Sequence, residues 1–438
     1  MKLLLVLRGK EPPIPDRSGL YVDSFYLMAA NVVNAAFGFL FWTAAARLYP
    51  PRDVGFAAAV FSAIGLLSMF SALGLDYALI RFLPQSPAPH TTVNASLTIA
   101  SSAGLVLAVA FVVGLGIWSP ALLPVRASPA LTISVAAAVA LTAASGLMAS
   151  TYLSRKRAGL VLAQSVVFGA VKVFAGVLFA ALGLREVGLV GAWVMGLGVL
   201  AATGLVYFLP QALGERYRFR PVVIREVVND MAHFAFSNYV SAVLWSAPTL
   251  LLPILITNVS GPEANAYFYV ASNVSALLVM IPTAISMSLF AHGSHDAADL
   301  PRKAAEAARV SLALLAPALA FVLLLGGKVL LIFGRSYSEE GTRLLWLLAL
   351  ATIPLTVNFL FFGVRRVQQR MTGVVASTVW ILVVTLGLSV LLLPKVGLAG
   401  VGIAWLAAQA STAAIIVVRY VLERYGSGRA QRGGRTRF

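Results

Sequence analysis

The stretch MAHFAFSNYVSAVLWSAPTLLLPILITNVSGPEANAYFYVASNVSALLVMIPTAISMSLFAHGSHD fills Met231–Asp296 and decides how the rest of the chain is read. Two apolar segments flank a short polar turn, Asn258–Asn265. Each exceeds the roughly 20 residues that an α-helix needs to cross a bilayer. Both nevertheless carry Asn, Ser, Thr and internal Pro, which a helix facing only lipid does not need. Neighbouring helices or a water-filled cavity satisfy such groups. A similar pattern stands about 210 residues earlier.

Composition sets the class. The chain has 438 residues, 60% hydrophobic and 11% charged, against about 45–50% and 25% in soluble domains. This is an all-α polytopic membrane protein. It contains no Cys, which excludes disulfides, thiolate metal sites and cysteine nucleophiles. Its four His leave little scope for a metal site, and neither a metal nor a cofactor is expected. A net charge of +17 would suggest nucleic acid in a soluble protein. Here the Lys and Arg are assigned to loops and to a basic tail facing anionic membrane lipid, and no nucleic-acid partner is expected.

Twelve apolar runs, near 22–46, 54–79, 93–118, 129–153, 160–182, 186–209, 232–257, 265–290, 306–326, 343–363, 372–393 and 398–420, predict transmembrane helices. The charged segment 210–231 reads as a cytoplasmic linker between an N-lobe, 1–209, and a C-lobe, 232–422, followed by a basic cytoplasmic tail, 423–438. With the N-terminus inside, the inner segments carry 24 Lys and Arg and the outer connections 8, while Lys172 lies within a helix. That bias places both termini in the cytoplasm and the protein in the cytoplasmic membrane.

Three landmarks recur in order. Pro51-Arg52-Asp53-Val54-Gly55-Phe56 matches Pro262-Glu263-Ala264-Asn265-Ala266-Tyr267, Arg155-Lys156 matches Arg365-Arg366, and Val187-Gly188-Leu189-Val190-Gly191 matches Val396-Gly397-Leu398-Ala399-Gly400. The offset is 211, 210 and 209 residues. Six helices per unit is an even number, so the two lobes run parallel about an axis along the membrane normal and enclose a cleft.

Leu48-Tyr49-Pro50-Pro51-Arg52-Asp53-Val54-Gly55 and Leu73-Gly74-Leu75-Asp76-Tyr77-Ala78-Leu79-Ile80-Arg81-Phe82-Leu83-Pro84 resemble the first helix pair of the Wzx-like oligosaccharide flippases, in the superfamily that also holds the multidrug/toxin extrusion carriers. The resemblance implies that superfamily's fold and alternating-access movement of a polyprenyl-(di)phosphate-linked oligosaccharide, alongside glycan-assembly enzymes. It implies no ATP site, and Gly326-Gly327-Lys328 lacks the spacing of a phosphate loop. The alternatives are a cation-coupled drug or metabolite exporter of the same superfamily and a membrane glycan polymerase or ligase. The first would need a well-buried carboxylate, and only Asp23 and Asp76 come close. The second would need a sizeable outer loop, and the longest here is about 327–342.

Lys172 is the sharpest candidate for substrate binding. It lies about 16 Å into its helix at 1.5 Å per residue, on one face with Gln164, Phe168 and Gly176. A cation at that depth needs a cavity or a partner. A phosphate or acidic sugar in the cleft would serve, and so would a structural ion pair. The first helix of each lobe carries a polar stripe: Asp23, Asn31 and Asn34 in one, His233, Ser237 and Ser241 in the other. Asn31, Asn34, Ser237 and Ser241 are read as cleft lining, with interhelical hydrogen bonding as the alternative. Asp23 and His233 are candidate coupling groups, Asp76 and Arg81 a candidate gate or interface anchor. Pro248 and Pro253 mark the seventh helix as a bending element. Arg47 and Arg52 read as a solvated turn, and Tyr267-Phe268-Tyr269 as an interfacial aromatic belt, with sugar stacking as the alternative.

Overall fold

The structure is a computed structural model and describes residues 17–222, 225–293, 300–368 and 371–433. These residues are mostly helical, with no strand among them. The N-lobe contains α1 (Arg17–Leu48), α2 (Pro51–Ala72), a short α3 (Leu75–Phe82), α4 (Pro89–Val113), α5 (Pro129–Ser154), α6 (Ala158–Ala181) and α7 (Glu186–Thr203). The C-lobe contains α8 (Arg225–Gly293), α9 (Leu300–Leu331), α10 (Arg335–Leu350), α11 (Thr352–Val367), α12 (Met371–Val396) and α13 (Leu398–Gly433).

Local chemistry explains most boundaries. Proline opens α2, α4 and α5, where its missing N–H costs nothing. Ser128 caps α5 by accepting the N–H of Leu131. The second apolar run ends at Ala72 and not at 79, because Leu73 (φ 52°) and Gly74 (φ 75°) turn left-handed and start α3 in a new direction. The connection expected over 327–342 is mostly helix: α9 and α10 take up all but residues 332–334. The first linker residues are also packed, since Tyr217 Oη donates to Asn94 Oδ1 of α4 at 2.6 Å.

Eleven helical segments among the described residues are long and apolar enough to span a membrane. One of them, Ala242–Phe290, has 49 residues and crosses twice. Its backbone breaks at Gly261 (φ 87°, ψ 167°), a conformation suited to glycine. Trp245 from the arm before the break lies 5.3 Å from the Phe359 ring, and Ser286 from the arm after it donates to the Phe359 carbonyl at 2.6 Å. The chain therefore doubles back. The φ/ψ values stay helical through Pro248, Pro253 and Pro282, so in this state the prolines produce no break.

The lobes meet mainly where α2 packs along α8. At one end, called the hairpin end because it holds both the α1–α2 turn and the equivalent turn at Gly261, the fit is close. A Cβ on Gly55 would stand 1.6 Å from the Pro262 carbonyl oxygen, and Asn265 Nδ2 donates to Gly55 O at 2.8 Å. By contrast, α1 makes little backbone contact with the second arm of α8.

Candidate functional site

A cavity of about 870 Å³ lies where the lobes face each other. Met28, Asn31 and Val32 of α1 form one wall. Both arms of α8 form most of the remainder, including Trp245, Pro248, Thr249, Pro253, Tyr269, Ser272 and Asn273. Leu348 of α10, Leu355 of α11, Thr378 and Ile381 of α12, and Val401 and Trp405 of α13 complete it. None of these lining side chains carries a charge.

The hairpin end is sealed by side chains whose role the sequence did not reveal. Arg47 donates from Nε to Ile332 O and from a terminal guanidinium nitrogen to Leu331 O, each at 2.7 Å, and so caps α9 across the lobe boundary. Asn258 Oδ1 accepts the N–H of Ala121 at 3.1 Å, while its Nδ2 reaches Ser119 Oγ at 3.1 Å. Phe39 meets Phe333 edge-on at 5.4 Å. Trp42 meets Tyr269 at 4.5 Å. Asp53, buried beside the turn, pairs with the exposed Arg185 at 3.2 Å. Arg47, though exposed, thus spans the lobes and does more than bracket the turn. Tyr267 and Phe268 are 8% and 5% exposed and form no belt, because the Gly55–Asn265 contact turns this part of α8 into the lobe seam.

The residues singled out from the sequence separate into groups. Asn31, Pro248 and Pro253 line the cavity. Asn34 does not; its Nδ2 donates to Ser165 Oγ of α6 at 3.1 Å. Gln164 donates to Ser145 O of α5 at 3.1 Å. Asp23 is half-buried on α1. The side chains of His233, Ser237 and Ser241 lie outside the described residues. Among the described residues no His, Asp and Glu cluster could hold a metal. Asp76 and Arg81 both belong to α3 rather than to α2. Burial pushes the Asp76 carboxyl above the usual carboxylate range, partly offset by the backbone N–H groups of Asp76 and Tyr77. Asp76 also acts electrostatically on Tyr239 of α8, across the lobe boundary. The Arg81 guanidinium lies 5.7 Å from the Phe82 ring.

Lys172 is 5% exposed and does not line the cavity. Its Nζ sits 5.0 Å from the Phe41 ring, 4.7 Å from Phe168 and 4.6 Å from Trp193. Three ring faces replace the carboxylate that an ion pair would supply, each contributing about 0.5–2 kcal/mol. Trp193 stacks on Phe61 at 4.2 Å, Phe61 meets Trp42 at 5.9 Å, and Trp42 touches Tyr269 in the cavity wall. An aromatic layer therefore stands between this cation and the cavity. Lys172→Met keeps the length and removes the charge. It is expected to leave thermal stability in detergent within about 1.5 kcal/mol of the parent or above it. A larger loss would show that the ammonium itself holds the lobe together.

Two parallel six-helix lobes around a cavity sealed at one end define an alternating-access carrier fold. Over residues 44–340 the chain matches the family described as polysaccharide biosynthesis proteins, and it belongs to that family. No curated protein sequence matches it. Among solved structures, the lipid II flippase MurJ in an inward closed conformation aligns with TM-score 0.70 and 12% identity, covering 91% of this chain and 87% of that one. An inward-facing multidrug resistance MATE family transporter of the MOP superfamily aligns with TM-score 0.66 and 14% identity, covering 94% and 96%. A MOP superfamily transporter from Pyrococcus furiosus aligns with TM-score 0.59 and 15% identity, covering 91% and 93%. At these identities the likeness is one of fold.

Proposed function

We propose that this protein is a flippase that moves a polyprenyl-(di)phosphate-linked oligosaccharide across the cytoplasmic membrane by alternating access. The observation that carries the reading is the cavity between the lobes, closed at the hairpin end and bordered by an α1 that is loosely packed against the second arm of α8. A lipid-linked substrate must keep its chain in the bilayer while its head enters the protein, and a loosely closed side of the cavity suits that need. Family membership supplies the substrate class, and the fold of a lipid II flippase supports it. The Lys and Arg bias supports cytoplasmic termini, and with that orientation the sealed hairpin end faces outward. The protein is read as a carrier and not an enzyme, working beside glycan-assembly enzymes.

In this reading Lys172, Asn34 and Gln164 meet substrate in the opposite state, when α1 moves off α6. Ser237 and Ser241 are proposed substrate-binding residues, Asp23 and His233 are coupling candidates, Asp76 and Arg81 anchor the lobe seam, and the first arm of α8 bends at Pro248 and Pro253. A second reading, a cation-coupled exporter of drugs or metabolites, draws on the mostly apolar, uncharged cavity wall. Leaflet-resolved accumulation of lipid-linked glycan in a deletion strain separates the two. The flippase reading expects glycan trapped in the inner leaflet and released by the restored gene. Glycan export at the parental rate in the deletion strain, with altered drug sensitivity alone, would favour the exporter.

A further inference from the structure

We propose that the cavity is a binding site for an uncharged sugar unit, so that the glycan carried into it has no carboxylate on the units it encloses. This rests on the flippase reading and specifies its substrate. Two indoles frame the site. Trp245 is held by Phe359 and Phe362, at 5.3 and 5.9 Å, and Trp405 packs against the cluster that contains Phe362. Trp245 thus rests on two rings and Trp405 on the adjoining apolar cluster, and both line the cavity. An aromatic face, negative at its centre, suits the C–H-rich face of a sugar ring.

The polar groups fit the same occupant. Elsewhere in the fold the indole N–H of Trp118 donates to Phe111 O and that of Trp380 to Ser411 Oγ. Those of Trp245 and Trp405, like those of Trp42, Trp193 and Trp346, meet no acceptor among the described residues, but only Trp245 and Trp405 line the cavity, where a ligand can accept from them. Asn31 makes no hydrogen bond to a described residue, and Asn273 uses Nδ2 on Tyr269 O at 2.8 Å, leaving Oδ1 as an acceptor. Ser272 and Thr249 add hydroxyls. These amides, hydroxyls and indoles match sugar hydroxyls, which both donate and accept. A carboxylate entering the same space would find no cation on the described wall and would be desolvated without a partner. In the described state the Lys172 ammonium lies behind the Trp42, Phe61 and Trp193 rings, in its own aromatic cage, and does not reach this space.

The test uses the full chain in nanodiscs and three short-chain polyprenyl diphosphates: one bare, one bearing a neutral disaccharide, and one bearing the corresponding uronic-acid disaccharide. The neutral form is expected to bind at least about tenfold more tightly than either of the others, a difference of about 1.4 kcal/mol. Trp245→Ala and Trp405→Ala should each remove most of that preference while changing the affinity for the bare carrier less than about twofold. Trp405→Phe keeps a ring and loses the N–H, and should restore part of it. Equal affinity for the uronic-acid form would overturn the proposal, as would alanine variants that weaken the bare carrier equally, which would assign the cavity to the prenyl chain. If none of the three bound, the flippase reading itself would fall.

Discussion

A Gly55→Leu variant is expected to lose transport and to leave its hairpin end open. Even a single Cβ at this position would stand 1.6 Å from the Pro262 carbonyl and 2.7 Å from the Ala266 nitrogen. Both obstacles are backbone, so no side-chain rotation relieves them. The two helices must separate, which also stretches the 2.8 Å bond from Asn265 to Gly55 O and leaves a fully buried amide short of its acceptor. Overpacking of this kind costs about 1–3 kcal/mol, and losing a buried hydrogen bond adds about 1–3 kcal/mol. Because the strain falls on the seam between lobes, each lobe keeps its own core and the cost shifts the balance between states. The chain has no native cysteine, so a single thiol placed at the buried, cavity-lining Ser275 reports access cleanly. Membrane-impermeant maleimide added from the outside should label Ser275→Cys at least about tenfold faster with Leu at position 55 than with Gly, the response to a shift of about 1.4 kcal/mol. Equal rates would show that the Gly55 contact does not close the cavity.

The opposite manipulation should be equally severe. Ser119 and Asn258 meet across the lobes at 3.1 Å at the same end. Bridging Ser119→Cys and Asn258→Cys with a short bifunctional thiol reagent ties that end shut without altering the cavity. If transport requires the hairpin end to part, flux should fall to the protein-free level when bridged and return on reduction. Each single-cysteine variant treated in the same way controls for modification alone and should keep most of its activity. Full flux in the bridged protein would rule out rocking of the lobes as the transport step.

Much of this architecture is written in the sequence, for physical reasons that also show where the reading stops. Long apolar runs are obligatory in a bilayer, since every backbone group must be bonded within its own helix. That makes the twelve crossings and the charged 210–231 segment legible. The end of α2 is only half legible: Gly74 is a local stop signal, but the turn begins one residue earlier, at Leu73, in a left-handed conformation that its side chain disfavours. Asn265 reads as a loop residue. It is instead fully buried, since polar residues next to a turn read the same whether they meet water or a facing helix.

The site is legible only in part. Polarity draws attention to Asn31, Asn34, Gln164 and Lys172, yet polarity within a membrane marks any group needing a partner, and three of the four find theirs inside the N-lobe. Trp245 and Trp405 do not stand out, because an aromatic residue in an apolar run reads alike toward lipid, core or cavity. One signal is available: Thr249, Ser272, Asn273 and Ser275 concentrate hydrogen-bonding groups in the middle of two crossings, and all four line the cavity. The weight of the cavity therefore falls on the C-lobe and α1, whereas Lys172, read from the sequence alone, draws attention to the N-lobe.

The most direct test is reconstitution. The purified protein is placed in liposomes containing a fluorescent polyprenyl diphosphate disaccharide, and the fraction reaching the opposite leaflet is read by quenching from one side. The account predicts transfer well above protein-free liposomes, abolished by the Ser119→Cys and Asn258→Cys bridge and restored by reductant. Transfer no faster than in protein-free liposomes, by protein shown to be folded and inserted, would contradict it.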